Sequence, residues 1–326
     1  MLVLGLQGSP RIKGNTRMLL SEFLSEAERI GAETRRIDVS RKDISPCQEC
    51  GHCEEKGYCP IDDDMQQIYP LLRRAEIIVM ATPVFFYGPT AQLKALIDRS
   101  QALWARRHVH HLLDPGRKWR LGLLLSVGAT KGKDLFQGIQ LTAKYFFDAV
   151  GARFEGAQDS LTYRQIEGAG EIEQHPTALP DARQKARVLV PPFLQRKRIL
   201  FLSKADACRS QMASALAQYQ WGDRMEIESA GSAPAPKVHP LMEEVMEEKG
   251  LDVAFRNPKT IDEATSAGTP ELVISMGCEE AQAHFPDVPT RTWDLPDPYG
   301  QSTEFMREMR HNIENRLEKL ISEWLV

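Results

Sequence analysis

The sequence has no long apolar run. Its longest apolar stretch, IIVMATPVFFYG, is interrupted by Thr82 and Pro83, whereas a membrane-spanning helix needs about 20 consecutive apolar residues. The opening segment, MLVLGLQGSP, is apolar for only six positions, which is too short for the core of a signal peptide. We therefore expect a cytoplasmic protein without a membrane partner.

The sequence also has little net charge. It contains 41 Lys and Arg against 45 Asp and Glu, a formal charge of -4, which carries no general signature of nucleic-acid binding. The local basic runs RRIDVSRK, ARRHVHH and LQRKRIL indicate solvated faces or a linker. We expect no nucleic-acid partner.

Cysteine is scarce, and its distribution is uneven. Four of the six cysteines fall within thirteen residues, at Cys47, Cys50, Cys53 and Cys59. In a cytosolic chain of this size, such a cluster indicates metal or redox chemistry rather than a disulfide framework.

The first half alternates short apolar runs with amphipathic stretches. The predicted strands are MLVLGLQG, ETRRIDVS, EIIVMATP, WRLGLLLSVG and RFEGAQDSL. The predicted helices are TRMLLSEFLSEAERIG, MQQIYPLLRRA, TAQLKALIDRSQAL, KDLFQGIQLTAKYFFDAVG and HPTALPDARQKARVLV. This alternation, with strands rich in Val, Ile and Leu, predicts a doubly wound α/β domain whose parallel sheet is covered on both faces.

A chain of 326 residues favours two domains, and the pattern pauses at VPPFLQRKR. The adjacent prolines Pro191 and Pro192 indicate a linker. A second, smaller α/β unit then begins with a new strand, loop and helix. We predict a first domain over 1–190, a linker over 191–197 and a second domain over 198–326.

The loop after the first strand, GSPRIKGNT, has the residues of an anion site. Gly8 permits a tight turn, Ser9, Asn15 and Thr16 offer hydroxyl and amide donors, and Arg11 adds positive charge. The helix that starts near Asn15 directs its N-terminus at this loop, which suits a phosphate.

Two further loops follow the third and fourth strands. The sequence TPVFFYG places aromatic and backbone groups where a flat ring can lie, and SVGATKG is small enough to approach a ligand closely. In an open α/β sheet, ligands bind beyond the carboxyl ends of the strands. The three loops together therefore predict a ligand site at one sheet edge.

The motifs GSPRIKGNT, CQECGHCEEKGYCPIDDDM and ATPVFFYGPTAQLKALIDR, in this order, resemble the NADPH-dependent FMN reductase superfamily and its iron–sulfur flavoprotein branch. The resemblance covers about residues 1–190. It implies a flavodoxin-like fold that binds FMN, uses NAD(P)H as co-substrate and forms a homodimer or homotetramer. The electron acceptor is then a small molecule or a protein.

The resemblance also implies which residues bind FMN. The phosphate would be held by Ser9, Arg11, Asn15 and Thr16. The isoalloxazine ring would lie against the segment following the third strand and one glycine after the fourth: Pro83, Val84, Phe85, Phe86, Gly88 and Gly128. Because hydride transfer to a flavin needs no acid or base from the protein, we name no catalytic residue in this domain.

The cysteine spacing C-x2-C-x2-C-x5-C resembles the motif that holds a [4Fe–4S] cluster in the iron–sulfur flavoproteins. The resemblance implies Cys47, Cys50, Cys53 and Cys59 as ligands. Four thiolates also suit tetrahedral zinc, and the third alternative is a set of cysteines without metal, either as reduced thiols or as two disulfides formed in air. A cluster would permit one-electron exchange with a partner, whereas the flavin alone would carry out two-electron reduction.

The motifs FLSKADACRSQMASA, SAGSAPAP, ELVISMGC and WDLPDPYG resemble the low-molecular-weight phosphotyrosine phosphatases and the arsenate reductases built on that fold. The resemblance covers about residues 198–326 and implies a four-stranded parallel sheet. In this family a cysteine nucleophile opens the loop, an arginine ends it, and a distant aspartate protonates the leaving group. The matching positions here are Ser203, Arg209 and Asp297.

Two departures separate this chain from the family pattern. Ser203 replaces the nucleophilic cysteine, and Asp206 replaces the asparagine that holds the shape of the loop. A serine hydroxyl has a far higher pKa than a loop thiol, and no histidine in this segment offers itself as a base. Cys208 and Cys278 occupy relay-like positions, but they also suit small buried apolar sites.

We therefore predict an FMN-dependent NAD(P)H oxidoreductase, with possible iron–sulfur electron transfer, whose second domain is a degenerate oxyanion-binding appendage. Two alternatives remain open at this stage. One is a bifunctional enzyme that also reduces arsenate or hydrolyses protein phosphotyrosine. The other is a non-catalytic redox sensor or electron carrier.

Overall fold

The computed structural model describes residues 1–278 and 280–324 of the chain. No helix in these residues is long and apolar enough to cross a membrane. Residues 279, 325 and 326, which belong to the predicted second domain, lie outside the described part.

The chain divides into two compact units. The first comprises Met1–His111 and Arg117–Leu194, and the second comprises Leu112–Gly116 and Gln195–Val326. Each unit is an α/β domain with a parallel sheet of its own.

The strands of the first domain are β1 (Leu2–Gln7), β2 (Glu33–Asp38), β3 (Ile77–Pro83), β4 (Leu121–Gly128) and β5 (Ser160–Arg164). Its α-helices are α1 (Asn15–Ile30), α2 (His52–Lys56), α3 (Met65–Arg74), α4 (Ala91–Arg99), α5 (Gln101–His108), α6 (Gln137–Ala149), α7 (Ala178–Leu189) and α8 (Pro191–Leu194). Short 3-10 turns cover Val39–Arg41 and Glu171–Gln174.

All strand pairs of the first sheet are parallel, in the order β2-β1-β3-β4-β5. This is the flavodoxin-like order, so the predicted fold class is confirmed. The direction of winding reverses between β1 and β3, and the ligand crevice of such sheets lies beyond the carboxyl ends of these two strands. Every residue of β1 is buried, as expected for a strand covered on both faces.

A buried arginine fastens the amino end of this sheet. Arg120, just before β4, is fully buried and donates to the carbonyl oxygens of Ala75 (2.8 Å), Val150 (2.9 Å) and Arg73. Because a buried cation is costly unless it is hydrogen-bonded, these three contacts hold neighbouring connections together at the edge opposite the crevice.

Two local predictions differ from the structure. The predicted fifth strand, RFEGAQDSL, is mostly a turn because the carboxylate of Asp159 accepts the N–H of Glu155 (2.8 Å), and β5 begins only at Ser160. The predicted helix TAQLKALIDRSQAL divides into α4 and α5 at Ser100, whose hydroxyl donates back to the carbonyl of Leu96 (3.0 Å).

The strands of the second domain are β6 (Lys197–Ser203), β7 (Met225–Gly231), β8 (Leu272–Met276) and β9 (Thr290–Thr292). Its helices are α9 (Arg209–Trp221), α10 (Pro240–Glu247), α11 (Ile261–Thr265), α12 (Ala281–His284) and α13 (Thr303–Trp324). The pairs are parallel in the order β7-β6-β8-β9, which confirms the predicted four-stranded parallel sheet.

The second sheet has a separate apolar cluster on each face. Alternate residues of β6 enter different clusters, Phe201 into one and Leu202 into the other, as the two-residue period of a strand requires. Cys208 lies in the cluster of Phe201, and Cys278 lies in that of Leu202. The two cysteines of this domain are therefore on opposite faces of the sheet.

The segment that the sequence predicts as a linker contains regular structure. Residues Pro191–Leu194 form α8, and Phe193 is buried in the apolar core of the first domain. Lys197 already begins β6.

Candidate functional sites

The loop between β1 and α1 is fixed at its start by Gly8. The N–H of Gly8 donates to the carbonyl of Ala81 (2.8 Å), and its own carbonyl accepts the hydroxyl of Thr90 (2.6 Å). A Cβ at Gly8 would lie 2.7 Å from a methyl group of Leu93, so only glycine lets α4 approach this closely. The start of the loop is therefore held rigidly against β3 and α4.

The rest of this loop turns back towards α1 and presents donors. The N–H of Arg11 bonds to the hydroxyl of Ser9 (3.2 Å), and the N–H of Gly14 bonds to the carbonyl of Arg11 (3.2 Å). Gly14 caps α1 without a side-chain oxygen. The first N–H groups of a helix have no intrahelical acceptor, so this end of α1 is a suitable anion site.

Asn15 and Thr16 are both buried, and Asn15 has structural partners. The amide of Asn15 donates to the carbonyl of Gly168 (2.8 Å) and accepts the N–H groups of Gly170 (3.0 Å) and Ile172 (3.2 Å). Its side chain thus positions residues 168–172, and its backbone N–H is the group that remains for an anion. The hydroxyl of Thr16 accepts from Gln7 (3.3 Å) and keeps its own proton to donate.

Arg11 reaches across the loop with an exposed side chain. Its guanidinium donates to the carbonyl of Glu167 (3.0 Å), in the loop that follows β5. This contact uses one of five donors, so the others can bind an anion at the N-terminus of α1.

The segment after β3 forms a tight aromatic hairpin. The backbones of Phe85 and Gly88 exchange two hydrogen bonds of 2.9 Å. Between them, Phe86 and Tyr87 have left-handed φ angles of 48° and 63°, which bulky residues rarely adopt. Phe86 is fully exposed, and Phe85 and Tyr87 are half-exposed. Exposed aromatic side chains on a strained turn are typical of a binding surface.

The third loop packs against this hairpin. The N–H of Val84 donates to the carbonyl of Val127 (3.0 Å). A Cβ at Gly128 would lie 2.6 Å from Leu135, and one at Gly138 would lie 2.4 Å from the carbonyl oxygen of Tyr87. Gly128 thus lets Leu135 approach the end of β4 closely, and Gly138 lets the start of α6 approach the hairpin. The structure thus brings the residues predicted to bind FMN to one edge of the sheet.

The four clustered cysteines line a single cleft in the first domain. Its volume of about 840 Å³ is within the range of cofactor sites. Cys47 and Cys50 are exposed, whereas Cys53 and Cys59 are half-buried, and all four are free thiols. Burial raises the pKa of the Cys53 thiol, and the nearby Cys59 and Cys47 act in the same direction.

The chemistry of these four donors fits a thiolate-bound metal centre, and they face the same cleft. In residues 1–278 and 280–324, however, no three metal-binding side chains are already arranged as a metal site.

A buried ion pair holds the cysteine loop on the domain. Arg99, at the end of α4, pairs with Asp63 (2.5 Å) and donates to the carbonyls of Ser45 (3.0 Å) and Ile61 (3.2 Å). Burial alone would raise the pKa of Asp63, but Arg99 and two backbone N–H groups keep it below its usual range. One guanidinium thus fastens both ends of the loop, Ser45 before the cysteines and Ile61 after them.

In the second domain, Ser203 is the last residue of β6 and is buried. Its hydroxyl oxygen lies 2.8 Å from that of Ser210 and accepts the N–H of Asp206 (3.1 Å). Asp206 has a left-handed φ of 46°, a conformation that asparagine and aspartate tolerate. Aspartate can therefore hold the loop in the shape that asparagine holds in the family that this domain resembles.

Arg209 and Asp297 lie near the same loop. Arg209 begins α9 and donates to the carbonyl of Leu295 (3.0 Å), which leaves further donors available. Asp297 is exposed and accepts the N–H of Tyr299 (3.1 Å).

Burial raises the pKa of the Cys208 thiol to about 12, with Arg209 opposing and Asp297 adding to the shift. Cys208 is thus a protonated, buried thiol at neutral pH.

Sequence reasoning missed several residues that shape these sites. Arg99 lies on a helix and looks like a surface charge until its burial is known. Lys259 donates its backbone N–H to Asp206 (2.9 Å) across 53 residues of sequence, which no local pattern shows. Thr90 was detectable, since a threonine before an apolar helical stretch is a typical N-cap, and its hydroxyl accepts the N–H of Leu93.

Replacing Arg99 by leucine should loosen the cysteine loop. Removing one partner of a buried ion pair costs about 3–5 kcal/mol because the other charge stays buried. We expect alkylation of the half-buried Cys53 and Cys59 by iodoacetamide, followed by mass spectrometry, to become at least about tenfold faster. Lys94→Leu, which breaks an exposed ion pair with Asp98 on the same helix, is the control and should change nothing. Equal rates in the two variants would contradict the role of Arg99.

Comparison with known proteins agrees with this two-domain architecture. Residues 1–146 match the family model of the NADPH-dependent FMN reductases, and residues 198–325 match that of the low molecular weight phosphotyrosine protein phosphatases. The chain is 44% identical over 103 residues to an iron-sulfur flavoprotein of Methanocaldococcus jannaschii, which covers 32% of this chain and 53% of the relative. Across three iron-sulfur flavoproteins it spans between 53% and 65% of their length.

The second domain has relatives that it covers almost completely. It is 34% identical over 134 residues to a glutaredoxin arsenate reductase of Synechocystis, which covers 39% of this chain and 97% of the relative. A solved arsenate reductase in the phosphate binding state is 30% identical, with 39% of this chain and 98% of that chain covered and a TM-score of 0.36. Residues 198–325 thus belong to the low molecular weight phosphotyrosine protein phosphatase family, and residues 1–146 are similar to the NADPH-dependent FMN reductases, whose family model they match.

Proposed function

We propose that the first domain is an FMN-dependent NAD(P)H oxidoreductase. The observation that carries this proposal is the convergence of three ligand-compatible loops at the carboxyl edge of a flavodoxin-like sheet. One loop has donors at the N-terminus of α1, one is a strained aromatic hairpin, and one is a glycine loop packed against that hairpin. The family match and the name of the archaeal relative support the same function.

The loop of α1 would hold the FMN phosphate. Ser9 and Arg11 contribute side-chain donors, Thr16 contributes its hydroxyl, and Asn15 contributes its backbone N–H. The side chain of Asn15 acts indirectly, because it braces residues 168–172 behind the loop. A charged anchor and a rigid loop would fix the position of the cofactor.

The hairpin would hold the isoalloxazine ring. Pro83 to Phe86 and Gly88 would lie along it, and Gly128 would close the third side. When bound, FMN supplies the hydride and electron chemistry. The protein would orient the ring. No side chain of this domain is needed to transfer a proton in that step.

The cysteine loop would hold an iron–sulfur cluster, so that electrons could leave the protein singly. Support comes from the four free thiols around one cleft and from the name of the iron-sulfur flavoprotein relatives. We further propose a cytoplasmic homodimer or homotetramer that delivers electrons to a small molecule or a protein. The exposed side chains of Phe85, Phe86 and Tyr87 offer apolar surface for such a contact.

The second domain would bind an oxyanion without the cysteine chemistry of its family. The N–H groups of the loop and Arg209 provide donors, while Ser203 supplies no thiolate. A relay between Cys208 and Cys278 is disfavoured because they are buried on opposite faces of the sheet. The arsenate reductase relative supports a bifunctional enzyme as the second candidate. Such an enzyme would have to act on its oxyanion without a thiol at position 203.

The proposed oxidoreductase function is tested by anaerobic purification. We expect FMN, iron and sulfide to be found when all three are quantified in the same sample. The protein should oxidise NADH or NADPH. It should also give an electron paramagnetic resonance signal after reduction by dithionite. A protein without flavin that fails to oxidise either nicotinamide would refute the oxidoreductase. A silent spectrum together with stoichiometric zinc would refute only the cluster.

Arg11→Ala should weaken FMN binding about tenfold, since one charge-assisted hydrogen bond is worth about 1.5 kcal/mol. Flavin fluorescence titration of the apoprotein measures this change. Lys13→Ala removes a positive charge from the same exposed loop and serves as the control for general electrostatics. An FMN affinity that is unchanged in Arg11→Ala would place the phosphate elsewhere.

Ser203→Cys combined with Asp206→Asn should restore hydrolysis of an aryl phosphate, because a thiol in an anion-binding loop ionises near neutral pH. The unaltered chain should show no turnover in this assay or in thiol-dependent arsenate reduction. Adding Cys208→Ser to the double variant is the control, and activity should persist. Turnover by the unaltered chain at about 1 per second or faster, as in dedicated enzymes, would instead establish the bifunctional enzyme.

A further inference from the structure

The hydroxyl groups around Ser203 form a hydrogen-bond chain with a defined direction. Ser210 donates its only proton to the carboxylate of Asp206 (2.8 Å). The contact of 2.8 Å between the hydroxyls of Ser203 and Ser210 therefore has Ser203 as its donor. The chain runs from the Ser203 proton through Ser210 to Asp206, and all three residues are buried.

The surroundings of Asp206 suit the ionised carboxylate. Besides Ser210, it accepts the side-chain N–H of Gln211 (3.1 Å), the backbone N–H of Lys259 (2.9 Å) and the hydroxyl of Ser229. Each of these groups is a donor, as a carboxylate requires and a carboxylic acid does not. The amide of Gln211 is oriented by its oxygen, which accepts from Arg256 (3.4 Å).

The pKa of Asp206 lies above that of an ordinary surface carboxylate, which suits a role as a base. Burial raises the pKa of Asp206, and the hydrogen bonds from Lys259, Ser210 and Ser229, together with the charge of Lys259, oppose that rise without cancelling it. A general base works best when its pKa approaches the working pH, because it must be ionised and yet able to take a proton.

Ser203 also keeps a lone pair for attack. Its oxygen has two acceptor positions, and one receives the N–H of Asp206 (3.1 Å). The residue opens the loop that leads to Arg209 at the N-terminus of α9, where an anion is favoured. The hydroxyl is therefore at the start of the loop that forms the proposed oxyanion site, and its proton is directed at Ser210.

We propose that Ser203 is a nucleophile that accepts a phosphoryl group from an acyl phosphate, with Asp206 as its base acting through Ser210. This inference rests on the proposed oxyanion site of the second domain and adds a covalent step to it. The two departures from the family pattern, Ser203 and Asp206, then form one functional unit.

The step balances in atoms and charge. The Ser203 oxygen forms a bond to phosphorus as the bond between phosphorus and the acyl oxygen breaks, and the carboxylate leaves with the electron pair. The Ser203 proton moves to Ser210, whose own proton moves to Asp206. A carboxylate leaving group needs no proton, so the exposed Asp297 is not required.

The product should be a long-lived phosphoserine. Its hydrolysis would have to expel the Ser203 oxygen, which is a much poorer leaving group than a carboxylate. The domain would thus act as a stoichiometric phosphoryl acceptor rather than as a phosphatase. This agrees with the absence of turnover expected for the unaltered chain.

The test uses the full chain incubated with acetyl phosphate. We expect the intact mass to rise by one phosphoryl group, with peptide mapping to Ser203, and no rise in Ser203→Ala. Asp206→Asn and Ser210→Ala should slow modification at least about 100-fold, the usual contribution of a general base. Asparagine tolerates the left-handed backbone at this position, so the loop should keep its shape.

The matched control is Ser322→Ala, which removes a hydroxyl on α13 that bonds to the carbonyl of Lys319 in its own helix (2.8 Å). It should be modified at the rate of the unaltered chain. Calorimetric titration with inorganic phosphate tests the oxyanion site separately from the nucleophile. Binding of phosphate without modification of Ser203 would overturn the nucleophile and leave the oxyanion site. Modification of Asp206→Asn at the rate of the unaltered chain would overturn Asp206 as the base. Loss of both phosphate binding and Ser203 modification would overturn the oxyanion site as well.

Discussion

Parallel pairing of β1 with β3 is the constraint on which the first domain depends. Parallel strands end at the same edge, so the loops after β1, β3 and β4 meet although they are separated by many residues in sequence. The reversal of winding between β1 and β3 opens the crevice there. The bond from Thr90 to Gly8 then fixes two of these loops to one another. The cofactor position follows from the sheet, and the loops supply only the chemistry.

Buried charges perform a second task in both domains, which is to hold loops that have little apolar surface of their own. Arg99 fastens the cysteine loop, Arg120 fastens the amino edge of the first sheet, and Asp206 fastens the loop after β6. A charge removed from water must be fully paired, so each of these residues specifies several partners at once. Such residues determine local geometry more strongly than they increase stability.

The sequence was sufficient to predict features that depend on local patterns. The strand and helix alternation, the end of α1 at Gly31 and the loop from Ser203 to Arg209 all follow from neighbouring residues. The roles of Asn15 and Arg99 did not, because their partners lie at Gly168, 153 residues away, and at Ser45, 54 residues away. Burial was invisible as well, since a helical arginine such as Arg99 has the pattern of a surface residue.

The two substitutions in the second domain are best understood through the direction of their hydrogen bonds. A thiolate in this loop would need donors around it, and an acidic neighbour at position 206 would oppose its charge. A serine is neutral and carries its own proton, so it needs an acceptor instead. Asp206, reached through Ser210, is that acceptor, and its backbone N–H still bonds to the Ser203 oxygen. Serine at 203 and aspartate at 206 are therefore mutually consistent, whereas a thiolate beside Asp206 would meet a buried like charge.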